Sequence, residues 1–88
     1  MIQDSRGFIY YIASLAGEQR VMEGNPQDPY IKNHECIFFI KTDKCLAFSC
    51  KNDKTFYFMD DCHHVHKLVR SDNNRKLSAV KTVTLKEI

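Results

Sequence analysis

The stretch Glu35–Met59, ECIFFIKTDKCLAFSCKNDKTFYFM, holds most of the large apolar side chains and decides the fold class. It reads as three short strands, Cys36–Lys41, Cys45–Lys51 and Thr55–Met59, each rich in Phe, Ile or Tyr and bounded by Asp, Asn and Lys. Thr42-Asp43-Lys44 and Lys51-Asn52-Asp53-Lys54 are the turns, because Asp and Asn bond nearby backbone and tolerate positive φ. A two-residue loop at Asp43-Lys44 sets Phe39 against Phe48 and Ile37 against Cys50. A three-residue loop at Asn52-Asp53-Lys54 sets Phe48 against Phe58 and Cys50 against Phe56. Both registers gather Ile37, Phe39, Leu46, Phe48, Cys50, Phe56 and Phe58 on one face. A three-strand meander over residues 36–59 is expected, with Phe39, Phe48 and Phe58 in the core.

The opposite face of that meander holds Cys36, Phe38, Ile40, Cys45, Ala47, Tyr57 and Met59, too apolar for a wetted surface. Either the rest of the chain covers it or another chain does. Phe38, Ile40, Tyr57 and Met59 are therefore the candidate protein-interface residues.

Working outward, Phe8–Ala16 is apolar all round, and its β-branched and aromatic residues favour a strand, although Phe8, Tyr11, Ile12 and Leu15 also fit helical spacing. Gly17 ends it, and Gln19–Met22 fits a second short strand. Gly24–Asn33, with Asn25-Pro26 and Asp28-Pro29, is a loop whose prolines remove backbone donors. Asp60 and Asp61 precede CHHVHKLVR, where either acid suits a helix N-cap and Cys62, Val65, Leu68 and Val69 make an apolar stripe. A short helix over about residues 61–70 is predicted on these grounds, over the strand that the same stretch also permits. Ser71–Asn74 is a turn, and a final strand spans about residues 76–87. The expected fold is α+β and β-rich: a small antiparallel sheet or half-open barrel with one helix.

Eighty-eight residues, 43% hydrophobic and 27% charged, indicate one domain (1–88) with a modest core. Residues 1–7 carry two charges and no apolar run, which points away from secretion and toward a cytoplasmic or nuclear protein with reduced cysteines. No stretch has the length of a membrane span. Charge is uneven: residues 1–62 carry seven Lys/Arg and nine Asp/Glu, whereas residues 63–88 carry six and two.

Cys62, His63, His64 and His66 form the most reactive-looking cluster. On a helix Cys62 and His66 share a face, and on a strand His64 and His66 do. Either arrangement supplies two ligands where a metal site needs three, so no metal is expected. Cys45 and Cys50 fail as partners, since five residues along one strand separate them by about 16 Å and set them on opposite faces. Asp60 and Asp61 oppose thiolate formation at Cys62, and no orienting third residue or oxyanion donor is apparent, so no catalytic site, small-molecule substrate or cofactor is assigned. Two binding functions remain. The leading one is a non-enzymatic domain that binds protein, with a second copy of itself as one candidate, through an apolar sheet face or edge. The alternative is a small regulatory nucleic-acid-binding protein using Lys67, Arg70, Arg75, Lys76, Lys81 and Lys86, which lack interleaved aromatic residues.

Overall fold

Runs rich in β-branched and aromatic residues, bounded by polar turns, carry most of the chain into strands. The computed structural model describes residues 2–28, 30, 33–71 and 75–84. Eight strands form: β1 (Ile2–Gln3), β2 (Ile9–Leu15), β3 (Glu18–Gly24), β4 (Glu35–Ile40), β5 (Cys45–Asn52), β6 (Thr55–Asp60), β7 (His64–Arg70) and β8 (Leu77–Thr84). They make two antiparallel four-stranded sheets, β1-β2-β3-β4 and β5-β6-β7-β8. Tyr10, Val21 and Ile37 from the first sheet meet Phe56, Phe58, Leu68 and Leu77 from the second in one buried core. The Tyr10 and Phe56 rings pack across the layers at 4.8 Å.

The fold is all-β, so the α+β expectation is overturned. No α-helix occurs among the described residues, and residues 64–70 of the expected helix are β7, paired to β6 and β8. The physical reason lies at Asp60. Its Oδ1 accepts the backbone N–H of Cys62 (2.9 Å) and of His64 (3.0 Å), much as a helix cap would. His63, however, takes φ +63°, a left-handed conformation that turns the chain back along β6.

The meander is corrected in one half. Phe48 does pair with Phe58, and Cys50 with Phe56. The Asp53-Lys54 loop is two residues long, however, with the extra residue taken up as a bulge at Lys51. The first hairpin does not exist: β4 pairs with β3, and residues 41–44 cross between the sheets. Gln19, 1% exposed, donates to the carbonyl oxygens of Thr42 (3.4 Å) and Asp43 (3.1 Å), and Thr42 Oγ1 donates to Asp61 Oδ1 (2.8 Å). These bonds hold the segment as a crossover.

Consequently Phe39 faces outward opposite Arg20 and is 58% exposed, not core. Phe48 is partly buried, its ring stacked 6.0 Å from that of Phe56. Bulges also reset the side-chain phase. One at Leu46 brings Cys45 onto the same inward face as Cys50, which corrects the expectation of opposite faces. The expected strands over Phe8–Ala16 and Gln19–Met22 form as Ile9–Leu15 and Glu18–Gly24, joined through Ala16 and a Gly17 at φ +73°. The final strand runs Leu77–Thr84, and residues 85–88 lie outside the described residues.

Phe58→Ala is expected to destabilise by about 3–5 kcal/mol and Phe39→Ala by about 0.5 kcal/mol or less. Chemical denaturation of the pair checks the two-sheet topology, since the single-meander topology requires comparable losses.

Candidate functional site

Three places concentrate polar or unpartnered groups: a buried ionic cluster between the sheets, a histidine–carboxylate cluster at the β6–β7 turn, and the outward face of the second sheet.

The first is built on the Tyr10 hydroxyl. Asp4 Oδ2 lies 2.8 Å and Glu23 Oε2 2.9 Å from it, while Arg6 and Arg70 aim Nη2 at it from 3.2 and 3.1 Å. One phenolic proton serves two carboxylates, and the arginines supply the compensating charge. Burial above all, with the carboxylate hydrogen bonds, pushes the phenol far above its ordinary pKa, so it stays protonated. Arg70 of β7 also donates to Glu23 Oε2 of β3 at 2.6 Å, and Arg75 spans Glu23 (3.1 Å) and Glu35 (2.7 Å). Every carboxylate here has a cationic partner, which is the pattern of a structural joint. Sequence periodicity hints at one member only, since Glu23 falls in the inward phase of β3 with Gln19 and Val21.

The second cluster brings Asp60, His64 and His66 together, the last two on one face as strand geometry requires. His66 Nε2 lies 2.9 Å from Asp60 Oδ2, its Nδ1 lies 3.1 Å from Thr82 Oγ1, and His64 Nδ1 lies 3.5 Å from Asp60 Oδ2. Cys62 stands apart, exposed in the turn, and the Asp61 charge, with lesser help from desolvation, holds its thiol above the usual range. Donor atoms of Asp60, Asp61 and Cys62 lie within 4.8 Å of one another, but Asp61 and Cys62 are solvent-accessible and Asp60 is already bonded to three N–H groups or ring nitrogens. The order carboxylate, imidazole, hydroxyl resembles a nucleophile relay. Here it spans β6, β7 and β8 as cross-strand neighbours and ties the turn to the edge strand.

The third place is the side of the second sheet turned away from the core. Phe56, Phe58 and Leu68 point inward, so Tyr57, Met59, Val65, Lys67 and Val69 point outward. Met59 sits between Ala47 and Val65, and Val65 is opposite Val83. Tyr57 is opposite Lys67, and Lys67 is directly opposite Lys81. No carboxylate occurs among these outward residues or the Ser49, Thr55 and Ser78 beside them.

The candidate interface residues are thus divided. Tyr57 and Met59 share this outward face, whereas Phe38 and Ile40 belong to β4 of the other sheet and pack against the core. The single face expected to hold all four does not exist. Val65, Val69 and Val83 join the patch instead, a grouping readable once residues 64–70 are taken as a strand. Of the six basic candidates, Arg70 and Arg75 are engaged with Glu23 and Glu35, Lys76 has a partner, and Lys86 lies outside the described residues. Lys67 and Lys81 remain free of ion pairs among the described residues.

Comparison with family models, with curated proteins and with solved structures gives no significant match to this chain. No helix among the described residues is long and apolar enough to cross a membrane.

Tyr10→Phe is expected to cost about 1–3 kcal/mol, because two buried carboxylates lose a shared donor. A second expectation concerns acid. Burial pushes the Asp4 and Asp60 carboxyls up but is outweighed by their hydrogen bonds, from Arg6, Tyr10 and the Phe8 amide at Asp4 and from His66 and the His64 and Cys62 amides at Asp60, so both lie below the ordinary range. Their contribution is complete above the unfolded-state pKa near 4 and is lost as pH falls through the lower folded value. Thermal melts should therefore decline below about pH 4, with a shallower decline in Asp60→Asn.

Proposed function

We propose that the chain is a non-enzymatic binding domain that docks a partner protein on the outward face of the β5–β8 sheet. What supports the reading is that face's make-up: an apolar centre of Tyr57, Met59, Val65, Val69 and Val83, with Lys67 and Lys81 abreast and no carboxylate among its described residues. Like charges directly opposite on neighbouring strands destabilise a sheet by up to about 1 kcal/mol. A partner that presents Asp or Glu around an apolar centre removes that repulsion and buries the patch. A two-fold axis passing beside Lys67 and Lys81 would bring four lysines together.

The nucleic-acid reading loses both of its arginines, Arg70 and Arg75, to internal ion pairs. Tyr57 beside Lys67 is the one feature in its favour.

The test is affinity capture from an extract of the source cells, treated with nuclease, with wild type and with Met59→Glu and Lys67→Glu. Both side chains are on the surface of the sheet, so melting temperatures should change little. The expected result is a protein retained by wild type and weakened about tenfold or more in both variants. Retention indifferent to both substitutions would overturn the reading, as would fluorescence anisotropy showing tight, steeply salt-dependent binding of single-stranded RNA.

A further inference from the structure

We propose that the β6–β7 turn is a divalent transition-metal site, with zinc as its ion, held by Asp60, His64 and His66. Sequence spacing offers only the two histidines as a pair on one strand face. The third donor is Asp60, which the turn folds back onto them. All three lie in the inward phase of their strands, away from the outward face of the second sheet.

The carboxylate divides its oxygens. Oδ1 accepts the backbone N–H groups of Cys62 (2.9 Å) and His64 (3.0 Å), a clamp that the left-handed His63 makes possible. Oδ2 is left to the side chains: His66 Nε2 lies 2.9 Å and His64 Nδ1 3.5 Å from it. A tetrahedral ion with bonds of about 2.0–2.2 Å holds its ligand atoms about 3.4 Å apart. The two separations from Oδ2 fall on either side of that length. Two imidazole nitrogens and one carboxylate oxygen are the donor set of open zinc sites, which keep a fourth position for water. The ring centres of His64 and His66, 6.5 Å apart, must close by about 1 Å for both to reach one ion. His64 has the freedom to move, with its side chain 43% exposed.

The supports behind the ligands are built as well. His66, its side chain 12% exposed, sets Nδ1 3.1 Å from Thr82 Oγ1 on β8, and the Phe58 ring packs 6.1 Å from its own. A neutral imidazole has one proton for two nitrogens. With that proton on Nε2, His66 donates to Asp60. With it on Nδ1, His66 donates to Thr82 and frees the Nε2 lone pair for the ion. Binding therefore moves the proton across the ring and releases none from it. Asp61 is engaged elsewhere, its Oδ1 accepting the Thr42 hydroxyl. A bound ion ties β6 to β7, and through Thr82 to β8, at the end of β7 far from Arg70.

Isothermal titration calorimetry of untagged protein with zinc chloride tests this, at about pH 7.5, where imidazoles are neutral. The expected result is one ion per chain, together with a melting temperature that rises with zinc, since an ion bound by the folded state stabilises it. Magnesium chloride should give neither effect, because it favours oxygen donors. His66→Gln should remove the heat of binding. His64→Ala changes a half-exposed side chain and should do the same, which decides the matter if the His66 variant fails to fold. Thr82→Val keeps all three ligands and should weaken binding about tenfold. Cys62→Ser should bind zinc like wild type, and the cobalt(II) form should show no thiolate charge-transfer band. A wild type that takes up no zinc would sink the proposal. So would zinc binding that survives His64→Ala and is lost in Cys62→Ser.

Discussion

Glu23 is the hinge of the architecture. It is 2% exposed, it sits on the first sheet, and its strongest partner, Arg70 at 2.6 Å, sits on the second. A buried carboxylate without a cation costs several kcal/mol, so the two sheets are bound to the relative placement that keeps this pair in contact. The apolar core alone specifies less. Tyr10, Val21, Ile37, Phe56, Phe58, Leu68 and Leu77 are well buried, yet hydrophobic contact is non-directional and would accept several offsets of one sheet on the other. Hydrogen bonds from Arg70 and Tyr10 to one carboxylate accept few. Asp4 then fixes the β1–β2 loop to the same hydroxyl, Arg75 brings in β4 through Glu35, and Ser5 bonds to Asp53 at the β5–β6 turn. Loops and layers are thereby joined at one end of the sandwich.

That concentration of polar partners inside has a consequence outside. Two of the basic residues that made the C-terminal third look like a ligand surface, its arginines, are spent on the joint. Arg70 and Arg75 neutralise Glu23 and Glu35, whose paired positions lie 40 to 52 residues earlier in the sequence and which no local pattern connects to them. The outward valines and Met59 of the second sheet, by contrast, stay half-exposed on its outer face. In a domain of this size the interior cannot absorb every large side chain, and the surplus appears on sheet faces and edges.

The legible part of the fold was the part governed by period two within a hairpin. Phe48 with Phe58 and Cys50 with Phe56 follow from short-loop pairing and hold in spite of the bulge at Lys51. The hairpin between β4 and β5 was misread because Phe39 opposite Phe48 satisfies the same alternation; nothing local reveals that Gln19 claims the Thr42 and Asp43 carbonyls. Bulges at Ile37, Leu46 and Val80 shift phase by one residue each, and periodicity carries no signal for them. Asp60 misled differently. Its capping bonds are real, but a cap-like Asp precedes helices and turns alike, and the choice rests on one left-handed residue, His63. Half of the candidate site, Tyr57 and Met59, was therefore legible, while its Val65, Val69 and Val83 side became visible only with β7 as a strand.

Lys67 opposite Lys81 shows why such a surface can persist. The repulsion of an exposed cross-strand pair is at most about 1 kcal/mol and is screened by salt, whereas breaking a buried pair such as Arg70–Glu23 costs about 3–5 kcal/mol. The fold is thus set by its interior, and the surface is free to carry a local mismatch. The bulge at Val80 lies immediately beside Lys81 and leaves Val80 58% exposed next to the two charges. A charged, irregular β8 edge resists strand addition. A chain of 88 residues can carry such a mismatch on its surface because the core that Glu23 and Arg70 hold in register does not depend on it.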